Sequence, residues 1–163
     1  MSASEIRRFL DAQRTLVLTT LRKDGSPVAH ALWFVRRGDA LYVNTRQGSL
    51  KARNILADAR VCALIDAGER YFELAGVRVE GRCRVVQDPA LQVLVQAAQG
   101  EKDQRLGSGM EEMPAWFQAS RSRRLERGAR VILEIPMERV YSWDFAKLRD
   151  RYAPAAPAQE TRP

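Results

Sequence analysis

Histidine is nearly absent from this chain: among 163 residues only His30 occurs. One imidazole excludes two-histidine zinc chemistry of the HExxH kind. A Ser-His-Asp triad would have to run through His30, and no GxSxG elbow is present. Cysteine is as scarce. Cys62 and Cys83 stand too far apart for a CxxC pair, and two thiols alone build neither a disulfide framework nor a thiolate zinc site. Both lie in apolar, strand-like runs and read as buried thiols. Long hydrophobic runs are missing too. Nothing approaches the ~20 apolar residues that span a bilayer, and the opening MSASEIRRFLDAQR lacks the apolar core of a signal peptide. The expectation is a cytoplasmic protein without a membrane partner. Lysine is the last scarcity: 27 residues are basic but only Lys23, Lys51, Lys102 and Lys147 are lysine. Such an arginine skew reflects genome composition, so the net charge of +7 is discounted as a nucleic-acid signal. No platform of interleaved aromatic and basic residues supports one either.

What is present is ordinary globular composition, 45% hydrophobic and 29% charged. At this length one domain is expected, over residues 1–152, followed by a Pro/Ala-rich tail at 153–163 (APAAPAQETRP) that is expected to be disordered. The basic surface still favours anionic partners: phosphates, carboxylates, nucleic acid or acidic lipid.

Apolar periodicity sets out the elements. Residues 4–14 read as a short helix with Ile6, Phe9 and Leu10 on one side and Ser4 as its cap. Strands follow at 15–21, 28–35 and 40–45, joined by turns at Asp24-Gly25 and Gly38-Asp39, which makes a three-strand meander. Ser49 opens a short helix (LKARNILAD). Residues 61–65 return to strand. Residues 71–86 read as one long strand or a bent pair, in which Val77, Val79, Cys83 and Val85 alternate with Arg78, Glu80, Arg82 and Arg84. Gly81 inside it marks a bulge or a close approach. Asp88-Pro89 caps a helix carrying Leu91, Leu94, Val95 and Ala98. Residues 100–113 read as a loop, 114–125 as a helix with Trp116 and Phe117, and 130–135 and 139–145 as strands. With no regular βαβ alternation the fold class is mainly β (α+β), a small antiparallel barrel with short peripheral helices.

The segment YVNTRQGSLKARN carries the chemistry. A strand ends at Thr45-Arg46, a glycine loop follows, and a helix starts at Ser49. Helix-start N–H groups, the Thr45 and Ser49 hydroxyls and the cations Arg46, Lys51 and Arg53 are the donors a phosphate cradle needs. A solvated, merely capped surface helix would use the same residues.

The run TLVLTTLRKDGSPVAHALWFVRRGDALYVNTRQGSLKARNILADARVCALI resembles the pyridoxamine 5′-phosphate oxidase-like, split β-barrel flavin-binding family. The shared pattern is TT-x-x-x-DG-x-P, a strand with an aromatic pair, then T-x-x-x-S-x-K-x-x-N-[IL]. The strings ELAGVRVEG and SWDFAKL resemble a branch of flavin and deazaflavin oxidoreductases that use coenzyme F420. The likeness covers residues 4–150. It implies a single-domain split antiparallel β-barrel, a homodimer with the site at the two-fold interface, and cofactor phosphate bound at Ser49 and Lys51 beside Thr45 and Arg46. It also implies that residues 29–34 lie along the cofactor ring, with His30 and Trp33 as the contacts there. The implied function is hydride transfer between the cofactor and a small organic substrate. A non-catalytic cofactor carrier on the same scaffold is the alternative. F420 bears more negative charge than FMN and calls for more cation. Arg46, Lys51, Arg53 and the cluster Arg121, Arg123, Arg124, Arg127 and Arg130 therefore favour F420, with FMN second. The ending SWDFAKLRDRY differs from that of the pyridoxamine phosphate oxidase enzymes proper, which argues against pyridoxine metabolism.

Overall fold

The structure is a computed structural model describing residues 1–107, 112–117 and 129–152, the side chains of 150 and 151 excepted. The expected tail and most of the helix expected at 114–125 lie outside the described residues, as do Arg121, Arg123, Arg124 and Arg127.

Helix α1 (Ala3–Ala12) is capped by Ser2, not Ser4. The physical reason is the capping box: with Ser2 as cap, Glu5 falls at the third helical position and its carboxylate accepts from the Ser2 N–H. A cap at Ser4 would put Arg7 there, which cannot accept. Strands β1 (Thr15–Leu21), β2 (Pro27–Arg37) and β3 (Ala40–Arg46) form the meander. Gly25 at φ 82 turns the first hairpin, in a region few other residues enter at low cost. Helix α2 (Leu50–Ala57) precedes β4 (Arg60–Ala67). The segment read as one long strand resolves into a 3-10 turn (Tyr71–Glu73), β5 (Ala75–Arg82) and the short β6 (Arg84–Val85). Helix α3 (Pro89–Leu106), β7 (Arg130–Pro136), β8 (Arg139–Asp144) and α4 (Ala146–Tyr152) complete the described chain.

Helix α3 runs through Gly100 rather than stopping there. Gly100 has open space around it, a single exposed glycine costs a helix only ~1 kcal/mol, and two anchors past it hold the next turns. The Gln99 amide donates to Asp103 (3.0 Å), and Lys102 is buried.

The eight strands form one antiparallel sheet in the order β6-β7-β3-β2-β1-β4-β5-β8, curled into a half-barrel. Gly81 closes the curl: a Cβ there would sit 2.7 Å from the Pro136 carbonyl oxygen. Alternation places Leu16, Leu18, Phe34, Leu41, Val43, Ala63, Ile65, Val77, Val79, Leu133 and Ile135 inside, where α1 closes one end through Leu10. Each of these side chains except Ala63 contributes ~1.5–3 kcal/mol of burial. On the outer face, α3 covers Val35, Ala40, Tyr42 and Ile132 with Val95.

Candidate functional site

Two opposite faces of the same strands define the candidate site. On the inner face, β1 continues Leu16 and Leu18 with Thr20, and β2 continues Phe34 and Leu32 backwards to His30. On β3, Thr45 follows Leu41 and Val43. Helix α2 lies over this end of the barrel. Ser49 caps it, accepting from the Ala52 N–H (3.4 Å) and lying 3.2 Å, hydroxyl to hydroxyl, from buried Thr45. The buried Asn54 amide donates to Thr20 Oγ1 at 3.0 Å. Arg46, Gln47, Gly48, Ser49 and Ala129 line a cleft of about 570 Å³ at the helix start.

The electrostatics of this end are one-sided. Burial lowers the Lys51 ammonium pKa below its ordinary value and the nearby Arg46 charge lowers it further. Burial likewise lowers the His30 imidazole, with Lys51 and Arg22 adding to the effect. The His30 Nδ1 is buried with no hydrogen-bond partner among the described residues. Arg46 and Lys51 form no ion pair among the described residues either. Uncompensated cations around a helix start and two hydroxyls make a receptor for an anion.

The outer face carries the second half. Trp33 is three residues from His30 on β2 and so points the other way. With Ala31, Leu32, Asn44, Gln99, Asp103 and Arg130 it lines a cleft of about 520 Å³ between the sheet and α3. Arg14 stacks its guanidinium 5.1 Å from the Trp33 ring and faces Asp103 at 3.7 Å. Arg130 donates to the Asn44 side chain at 2.9 Å. An apolar wall with a few convergent polar groups in this volume suits a planar ring system.

The structure thus gathers Thr45, Arg46, Ser49 and Lys51 at the start of α2, with His30 beside Lys51. It puts Trp33 on the opposite face. Arg53 is exposed, lies two residues from Lys51 and so about 200° around the helix from it, and does not line the cleft. Sequence reasoning missed Thr20, Arg22, Asn44, Gln99 and Asp103. The parity of Thr20 with Leu16 and Leu18 was the available signal for the first. The α3 residues had none, because they meet the sheet only in the fold. Among the described residues no group of His, Cys, Asp and Glu could hold a metal ion, and no helix is long and apolar enough to cross a membrane.

The sequence model of the pyridoxamine 5′-phosphate oxidase family matches residues 2–144. The chain belongs to that family. The split-barrel architecture is shared with solved structures. A conserved hypothetical protein from Mycobacterium tuberculosis is 29% identical, with 91% of this chain and 88% of that chain covered and a TM-score of 0.74. An FAD-binding protein from Mesorhizobium loti is 22% identical, covering 87% and 92% with a TM-score of 0.63. An F420 reductase is 22% identical, covering 83% and 94% with a TM-score of 0.59. No curated protein matches the chain. The residues present fit a phosphate-bearing cofactor: Lys51 and Arg46, which form no ion pair among the described residues, suit a phosphate, and the His30 Nδ1, buried with no partner among the described residues, offers a further hydrogen bond.

Proposed function

We propose that this protein is a homodimeric oxidoreductase that binds F420 in preference to FMN and exchanges hydride with a small organic substrate. The observation that carries the reading is the positive charge of Lys51 and Arg46 at the start of α2, which no ion pair among the described residues offsets. Ser49, Thr45, Lys51 and Arg46 would hold the cofactor phosphate. His30, through its buried Nδ1, would offer a hydrogen bond beside it, and the Trp33 cleft would take a ring. The cofactor, when bound, supplies the hydride chemistry. The polypeptide supplies orientation and exclusion of water.

The homodimer is supported by the outer face of β2, β1 and β4. Val17 pairs in register with Ala31 and Leu64, and Thr19 with Ala29 and Cys62. These small and apolar side chains are exposed or half-buried. A two-fold partner laid on this face would cover them and wall the Trp33 cleft.

Purified apo-protein titrated with F420 and with FMN tests the cofactor. F420 should bind more tightly, with an affinity that falls as salt rises. A yellow preparation holding stoichiometric FMN would reverse the choice. Reduced cofactor that stays bound and unreacted with every acceptor offered would make the protein a carrier instead.

A further inference from the structure

We infer that Thr20 and Asn54 are a positioning pair that sets the angle of α2 and thereby holds Lys51 toward Arg46 and His30 at the start of the helix. Thr20 is fully buried and Asn54 is 7% exposed, in a core otherwise lined by Leu16, Leu18, Val43 and Ala63. A valine would fill the Thr20 site without a polar group to satisfy. The hydroxyl earns its place only through the 3.0 Å bond from the Asn54 amide.

Helix α2 needs such a bond. It has eight residues, and only Ala52, Asn54 and Ile55 are buried. Two apolar anchors, one of them alanine, hold a short helix in place but leave its rotation weakly determined. A buried hydrogen bond is directional and has one rotation that satisfies it. Asn54 lies three residues after Lys51, hence on the same face of the helix. Turning Asn54 away from Thr20 would turn Lys51 away from Arg46 and His30 as well. The Asn54 carbonyl also accepts from the Asp58 N–H at 2.7 Å, ending the helix at the residue that orients it.

The inference rests on the reading of this site as a phosphate anchor. A double-mutant cycle with FMN as the probe separates the two. Lys51→Ala should weaken FMN binding by tenfold or more. Thr20→Val should weaken it about tenfold in the native background and less than twofold in the Lys51→Ala background, because its effect passes through Lys51. Thr20→Ser, which restores the hydroxyl, should recover native affinity. Should Thr20→Val not fold, Asn54→Ala in the same cycle reads the same coupling. Thr20→Val without effect, or with the same loss in both backgrounds, would reduce the pair to core packing and overturn the inference. Lys51→Ala without effect would overturn the anchor itself.

Discussion

The indole of Trp143 packs against Gly76, its cross-strand partner, so closely that a Cβ at Gly76 would clash with the Cζ2 side of the six-membered ring. Gly76 is thus required by its neighbour and not by its own backbone, since its φ is not positive. The pair matters because β8 is an edge strand, joined only to β5 in the sheet. An aromatic laid over a glycine gives that edge a contact no side-chain pair could provide.

Gly76→Ala should therefore destabilise the protein by ~1–3 kcal/mol, the range for overpacking a filled site. Urea unfolding followed by tryptophan fluorescence measures this. Equal midpoints for variant and wild type would mean that the ring moves aside at no cost.

Lys51→Ala should weaken binding of F420 and of FMN by ~1.5–3 kcal/mol, the range for hydrogen bonds to a charged group. The lysine is half-buried and makes no ion pair among the described residues, so the melting temperature should hold. A large drop in melting temperature would show instead that Lys51 supports the fold.

Ala31→Glu puts a carboxylate at the centre of the proposed two-fold face, opposite Val17. Sedimentation equilibrium should change from about twice 18.5 kDa to the monomer mass. A wild-type protein that sediments as a monomer while binding cofactor would remove the homodimer.

Lys102 is 5% exposed, donates to the Leu10 carbonyl at 3.3 Å and sits 3.9 Å from the Phe34 ring centre. Burial pushes its ammonium from 10.5 down to about 8, with Asp11 opposing and Arg105, Arg14 and Arg36 adding to the fall. Between those two values the unfolded chain holds a proton that the folded chain has lost. Stability from this group therefore rises with pH across the window, and the full cost of the buried charge is present below about pH 8. Relative to Lys102→Met, the wild type should gain roughly 2 kcal/mol between about pH 7.5 and about pH 10, because each tenfold change in proton affinity on folding is worth ~1.4 kcal/mol. Parallel pH profiles for the two proteins would show that Lys102 is not desolvated.

Local chemistry determined much of this protein. The Asp24-Gly25 turn, the Ser49 cap, the Asp88-Pro89 helix start and the period-two runs of β1 to β5 depend on near neighbours in the chain, and each is where its residues place it. So is the gathering of Thr45, Arg46, Ser49 and Lys51, which one strand end and one helix start bring together within seven residues. The tertiary structure decided what depends on distant residues. That strand parity sends His30 and Trp33 to opposite faces of β2, and that the helical turn carries Arg53 away from Lys51, is still local; what surrounds each face is not. Which face becomes which wall of a site is settled only when α2 closes the inner end and α3 covers the outer one. Helix α3 passes Gly100 because Lys102 finds Leu10 and Phe34 from across the fold. Gly76 and Gly81 look alike in the sequence, yet one makes room for the Trp143 ring and the other for the Pro136 carbonyl. Backbone propensities act over a few residues. Burial, close approach and the pairing of lone polar groups act between elements that meet only once the sheet has curled.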